Sequence, residues 1–84
     1  MKIKDGFVLR HVMDSDIVMD VTGKFSGVVK LNATSAEIWS AAAEGMSERD
    51  IAARLSEEYG ISIEKAAGDV EKFCAAMREQ GFFE

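Results

Sequence analysis

Leu31-Asn32-Ala33-Thr34-Ser35-Ala36-Glu37-Ile38-Trp39 is the stretch where strand-like sequence gives way to helical sequence, and it holds the only tryptophan. Asn32 has the side chain of an N-cap, with an oxygen able to accept from an amide that the first helical turn leaves without a partner. Glu37 stands near the positive helix end. Ala36, Trp39 and Ala43 then share one helical face, with Ile38 and Ala42 beside them. The indole is thus delivered into whatever the strands before and the helices after enclose.

Upstream of this junction the pattern has period two. Phe7, Leu9, His11 and Met13 alternate with Val8, Arg10 and Val12, and Ile17, Met19 and Val21 alternate with Val18, Asp20 and Thr22. The turn formers Asp14-Ser15-Asp16 separate the two runs and predict a hairpin. Gly23 and Gly27 bracket a looser connection, and Val28-Val29-Lys30-Leu31 reads as a short third strand. The simplest order is a three-stranded antiparallel meander, which leaves the third strand as an edge with unpaired backbone groups along one side. Residues 1–6 read as a loose N-terminal arm, and residues 1–84 as one domain.

Downstream, three helices are punctuated by caps and glycines. The first runs from about Ala33 to Glu44 and stops at Gly45. Ser47, with Asp50 in place of the usual Glu of a capping box, opens a helix through Tyr59 that stops at Gly60. Ser62 opens a third, from Ile63 to Gln80, that stops at Gly81. The second helix would bury Ile51, Ala52, Leu55 and Tyr59. The third carries an apolar arc of Ile63, Ala66, Ala67, Val70, Phe73, Cys74 and Met77. Strands followed by helices on short connections define an α+β class with a winged-helix-like ground plan, a three-stranded antiparallel sheet followed by three helices.

Composition narrows the function. At 84 residues the chain buries about 60–65% of its unfolded surface. One cysteine, Cys74, excludes an intramolecular disulfide, and with one histidine, His11, it is too few for a protein-only zinc site. No secretory signal or membrane-length apolar run is present, so a cytoplasmic setting without membrane contact is expected. The net charge of −5 is uneven: residues 1–30 carry five basic and four acidic groups, residues 31–84 five basic and eleven acidic. An acidic helical half repels phosphate backbones.

No catalytic constellation stands out. There is no glycine-rich phosphate loop, Ser47 and Ser62 read as caps, and Cys74 lies on an apolar arc where burial makes a thiol inert. His11 reads as structural, and nothing sets a second carboxylate opposite Glu57 or Glu58. A DNA-reading helix needs a basic stripe. The second helix sets Arg49 and Arg54 against Glu48, Asp50, Glu57 and Glu58, and the third mixes Lys65, Lys72 and Arg78 with Glu64, Asp69, Glu71 and Glu79. The expectation is no catalytic residue, no metal, no cofactor and no nucleic acid. What remains is a binding module with an open strand edge beside an apolar helix, a geometry that accepts an extended peptide as an added strand.

The Leu31-Asn32-x-Thr34-x-x-x-Ile38-Trp39 pattern, Gly45 with the Ser47-to-Tyr59 helix, and Asp69-Val70 with Phe73, Met77 and Gly81 spaced after them resemble the PqqD-like family, the RiPP recognition elements. The resemblance covers about residues 7–83. It implies a peptide chaperone or adaptor, not an enzyme, that binds the leader of a ribosomally made precursor and presents it to a modifying enzyme such as a radical SAM enzyme. By the same resemblance the leader adds to Val28, Val29, Lys30 and Leu31 and lies against Ala66, Asp69, Val70 and Phe73. Asn32, Thr34 and Trp39 would serve the fold. Cys74 stands where a larger aliphatic residue is common, and Gly68 interrupts the third helix. With no appended domain, a free-standing adaptor is expected, monomeric or a weak homodimer. The alternatives are a winged-helix DNA-binding regulator and a non-catalytic docking subunit for a folded protein.

Overall fold

The computed structural model describes residues 3–21 and 29–84. The elements run β1 (Phe7–Val12), β2 (Ser15–Asp20), β3 (Val29–Leu31), α1 (Ala33–Ala43), α2 (Glu48–Tyr59) and α3 (Ile63–Glu79). The sheet is the expected antiparallel meander, in the order β1-β2-β3. Its first turn is tighter than the Asp14-Ser15-Asp16 cluster suggests. Val12 pairs with Ser15, so Met13 and Asp14 alone make the turn, and Met13 takes φ +57° as a two-residue hairpin requires. Ser15 and Asp16 therefore belong to β2, where Asp16 Oδ1 sits 2.8 Å from His11 Nδ1 across the ladder. The looser connection at Gly23 and Gly27, and Val28 at the head of the third strand, lie outside the described residues.

The helix punctuation matches the sequence. Asn32 Oδ1 accepts from the Ser35 amide at 2.8 Å, Ser47 Oγ from Asp50 at 3.2 Å, and Ser62 Oγ from Lys65 at 3.1 Å. Gly60 at φ +64° and Gly81 at φ +88° close α2 and α3 in the left-handed region, where a side chain would be strained.

The helices pack on one face of the sheet, with Val18, Leu31, Ile38, Trp39, Ile51, Leu55, Val70 and Cys74 in one buried cluster. α1 touches β1, β3, α2 and α3, so its buried surface is broader than a single stripe. Ala41 is accordingly buried, while Ala43, expected inside, is exposed. Tyr59 and Ile63 were also expected in the core; they lie at the α2–α3 corner and are 47% and 46% exposed. Ala67 is exposed as well.

The last residues supply core that the helical pattern does not reveal. Phe82 and Phe83, beyond Gly81, are buried. Trp39 lies 5.3 Å from Phe83 and 6.2 Å from Phe82 between ring centroids, and Phe7 meets Phe82 edge-on at 4.7 Å. Ile3 forms a bridge with Phe83, and the Lys4 amide donates to the Phe82 carbonyl at 2.8 Å. The arm expected to be loose is thus tied to the C-terminus from Ile3 onward. No described helix is long and apolar enough to cross a membrane.

Candidate functional site

Register decides which backbone groups of β3 are available. The Val21 amide donates to the Gly6 carbonyl at 2.8 Å, and bonded pairs alternate along an antiparallel ladder. Ile17 and Met19 therefore bond to β1, while Asp16 and Val18 bond to β3. Their partners Leu31 and Val29 are consumed by β2. Lys30, opposite Ile17, turns its amide and carbonyl to the open edge. Among the described residues no hydrogen bond is made to those two groups.

Beside this edge is a cleft of about 470 Å³ between the start of α1 and the middle of α3, lined by Asn32, Thr34, Ser35, Ile38, Asp69, Lys72 and Phe73. Its floor is apolar, from Ile38 and Phe73, and its rim is polar. Phe73 is held edge-on against Phe83 at 6.0 Å, which continues into Trp39, so the cleft wall is part of the aromatic core. Lys65 Nζ lies 3.5 Å from Asp69 Oδ2, an exposed pair one helical turn apart that contributes little to stability.

The candidate residues divide by accessibility. Val29 is half-buried, Lys30 exposed, and Asp69 and Phe73 line the cleft. Leu31, Ala66 and Val70 are 7%, 0% and 0% exposed, so their side chains belong to the core beneath the site. Leu31 still contributes through the strand that it completes. Val28 lies outside the described residues. Thr34, Ser35, Ile38 and Lys72 were missed as lining residues. Ser35 and Ile38 do share a helical face by their spacing, and Lys72 follows Asp69 by three, but only tertiary packing sets the two helices side by side. Asn32, read as a fold residue, both caps α1 and borders the cleft.

The reactive side chains are occupied elsewhere. Burial pushes the Cys74 thiol up to about 11, with the Glu48 carboxylate adding to the shift, so it is held protonated. Ser47 and Ser62 accept capping bonds. His11 is an exposed residue paired with Asp16 in the hairpin. Among the described residues no group of three or more His, Cys, Asp or Glu side chains could hold a metal ion. At Gly68 an added Cβ would meet nothing within 4 Å, so no close backbone approach explains that glycine. A wider depression of about 650 Å³ lies on the far flank, along Ile3–Leu9 and the Trp39-to-Gly45 end of α1; there residues 3 and 4 already bond to residues 82 and 83.

The fold is a small domain in which a three-stranded meander is backed by three helices, with the β3 edge leading at Asn32 into a part-apolar cleft. The family model described as Coenzyme PQQ synthesis protein D (PqqD) matches residues 14–82, and the chain belongs to that family. Among solved structures it is similar to TbiB1 in complex with the TbiA(beta) leader peptide, at 25% identity over 100% of this chain and 95% of that one, TM-score 0.87. A lasso peptide synthetase B1 complexed with the leader peptide shares the fold at 21% identity over 96% of this chain and 93% of that chain, TM-score 0.85. No curated protein matches the sequence significantly.

Proposed function

We propose that this chain is a peptide-binding adaptor that captures the leader of a ribosomally made precursor by strand addition and presents it to a modifying enzyme. The observation that carries the site is the open β3 edge at Lys30 beside the cleft of Ile38 and Phe73. An added strand would bond to the Lys30 amide and carbonyl and turn alternate side chains into the cleft. Both solved relatives are complexes with leader peptides, which supports the same class of ligand here. The leader contacts we assign are Val29, Lys30, Asp69 and Phe73, with Thr34, Ser35, Ile38 and Lys72 added by the cleft. Leu31, Ala66 and Val70 support them from beneath.

The chain works without turnover of its own. Its partner enzyme, by the family resemblance, is of the radical SAM class, and the encounter takes place in the cytoplasm with a monomer or weak homodimer. The alternatives, a DNA-binding regulator and a docking subunit for a folded protein, have no support in the comparisons.

An amide chemical-shift titration with the leader of the precursor encoded nearest to this chain tests the reading. Saturable shifts at Val29–Leu31, along residues 32–38 and at Asp69–Phe73 are expected. Shifts confined to Phe7–Leu9 and Trp39 would move the site to the far cleft. No shift with that leader, together with saturable binding of duplex DNA, would overturn the function.

A further inference from the structure

The sheet has a second face that no described helix covers. Val18 is buried, and Leu9 and Val29, its partners in register, pack on the core, so the opposite parity faces outward. That outer face carries Val8, Val12, Ile17 and Met19, continued by Val21, whose amide extends the ladder to Gly6. Val12 and Val21 are 50% and 63% exposed, and Met13 at the hairpin tip is 89% exposed. Among the described residues three of the five exposed large apolar side chains thus gather on this face and its tip, although the sheet is the smaller part of the chain.

Its charge is also unlike the rest of the molecule. Among the described strand positions of this parity the charged ones are Arg10 and Lys30, with Asp14 the carboxylate of the hairpin tip, in a chain of net charge −5. We infer that the outer face of the sheet, with Arg10 beside Val12 and Met19, is a docking surface for an acidic, apolar patch on the modifying enzyme. The choice of the enzyme as occupant rests on the function proposed above; the acidic and apolar chemistry of the occupant rests on the face alone.

A second copy fits less well. Two such faces brought together by a two-fold axis would set one surface carrying Arg10 and Lys30 against another of the same charge, and a contact with the acidic helices of another copy would be heterologous, giving a ring or an open chain in place of a two-fold dimer. An anionic membrane would meet two cations on a chain that it repels overall. Two strands of six residues and one of three, about 4.8 Å apart, offer only about 200–300 Å². That is well below the ~800 Å² per partner of a lasting complex, so the contact suits a brief hand-over. It also leaves the cleft side of β3 open while the enzyme is bound.

The test measures binding of the full chain to the modifying enzyme encoded with it, in the absence of leader, for the wild type and for Arg10→Glu combined with Val12→Asp. Both positions are exposed and lie on the strand farthest from β3. Enzyme affinity is expected to fall at least tenfold, with wild-type melting temperature and wild-type leader affinity retained. Equal enzyme affinity in wild type and variant overturns the inference, as does no binding by the wild type. So does a variant that instead loses self-association or binding to phosphatidylserine vesicles. Failure of the wild type to bind leader strikes the proposed function and leaves the enzyme arm readable.

Discussion

Glu37 Oε1 accepts a hydrogen bond from the Tyr59 hydroxyl at 3.2 Å, whereas its Oε2 is buried with no hydrogen-bond partner among the described residues. Burial raises the Glu37 pKa above the ordinary 4.5, and the neighbouring Glu58 carboxylate raises it further. A proton on Glu37 gives the orphan oxygen a donor to offer to Glu58, which ties α1 to α2. Tyr59 shifts upward too, chiefly through partial loss of the water around its hydroxyl and then through the Glu37 charge, so both groups favour their neutral forms. The folded protein therefore holds the Glu37 proton more tightly than the unfolded chain does. The stability this contributes is fully present below pH 4.5 and is lost as pH rises through the folded value. Glu37→Gln keeps an acceptor for Tyr59 and supplies a permanent donor. Its melting temperature is expected to match wild type near pH 4 and exceed it at pH 7.5. Thermal melts across that range check this; a variant less stable than wild type at pH 7.5 would show that the ionised carboxylate is the form the fold uses.

The three helix starts and the glycine stops were legible because each depends on one residue and its nearest amides. The meander followed from alternation alone. Which residue of β3 faces the open edge was not, since it turns on the parity of the ladder, fixed two strands away by the Met13-Asp14 turn. The four strand residues of the site look equivalent in sequence, yet of the three described, Val29, Lys30 and Leu31, only Lys30 presents its backbone outward. Proline can separate their roles, because it is tolerated on an edge strand where its missing amide would have faced solvent. Lys30→Pro should leave the β2–β3 ladder intact and weaken leader binding by about 10–100-fold, the effect of leaving a buried acceptor unmet at roughly 1–3 kcal/mol. Val29→Pro should instead break the bond to Val18 and lower the melting temperature. Leader titrations alongside thermal melts distinguish them. If Val29→Pro alone abolished binding while Lys30→Pro bound normally, the leader would not be adding to this edge. The cleft was illegible for a related reason: Ser35 and Ile38 meet Lys72 and Phe73 only after α1 and α3 pack, and no local pattern records that meeting.

The whole molecule is closed by its two ends. Phe82 and Phe83 follow a helix stop, so they fall on no helical period, and two residues are too few to show alternation; their burial could not be read from sequence. In the fold they fill the space between Trp39, Phe7 and Phe73, and their backbone takes up Ile3 and Lys4. A domain of this size has only about 4–13 kcal/mol of stability, at 0.05–0.15 kcal/mol per residue. Losing one buried phenylalanine side chain costs about 3–5 kcal/mol. Removal of residues 82–84 should therefore leave most of the chain unfolded at 25 °C, with Trp39 fluorescence shifted to that of a solvated indole. Phe82→Leu, which keeps much of the apolar volume, should still melt cooperatively at a lower temperature. Near-ultraviolet circular dichroism and Trp39 emission test both. A truncated chain that melts within a few degrees of wild type would mean that α1 and α3 hold the core without the clasp. Because Phe83 also backs Phe73, the truncation should abolish leader binding, whereas Phe82→Leu should retain it wherever the chain is folded. That pairing connects the core to the cleft: the site has its shape only while the C-terminal aromatic pair is in place.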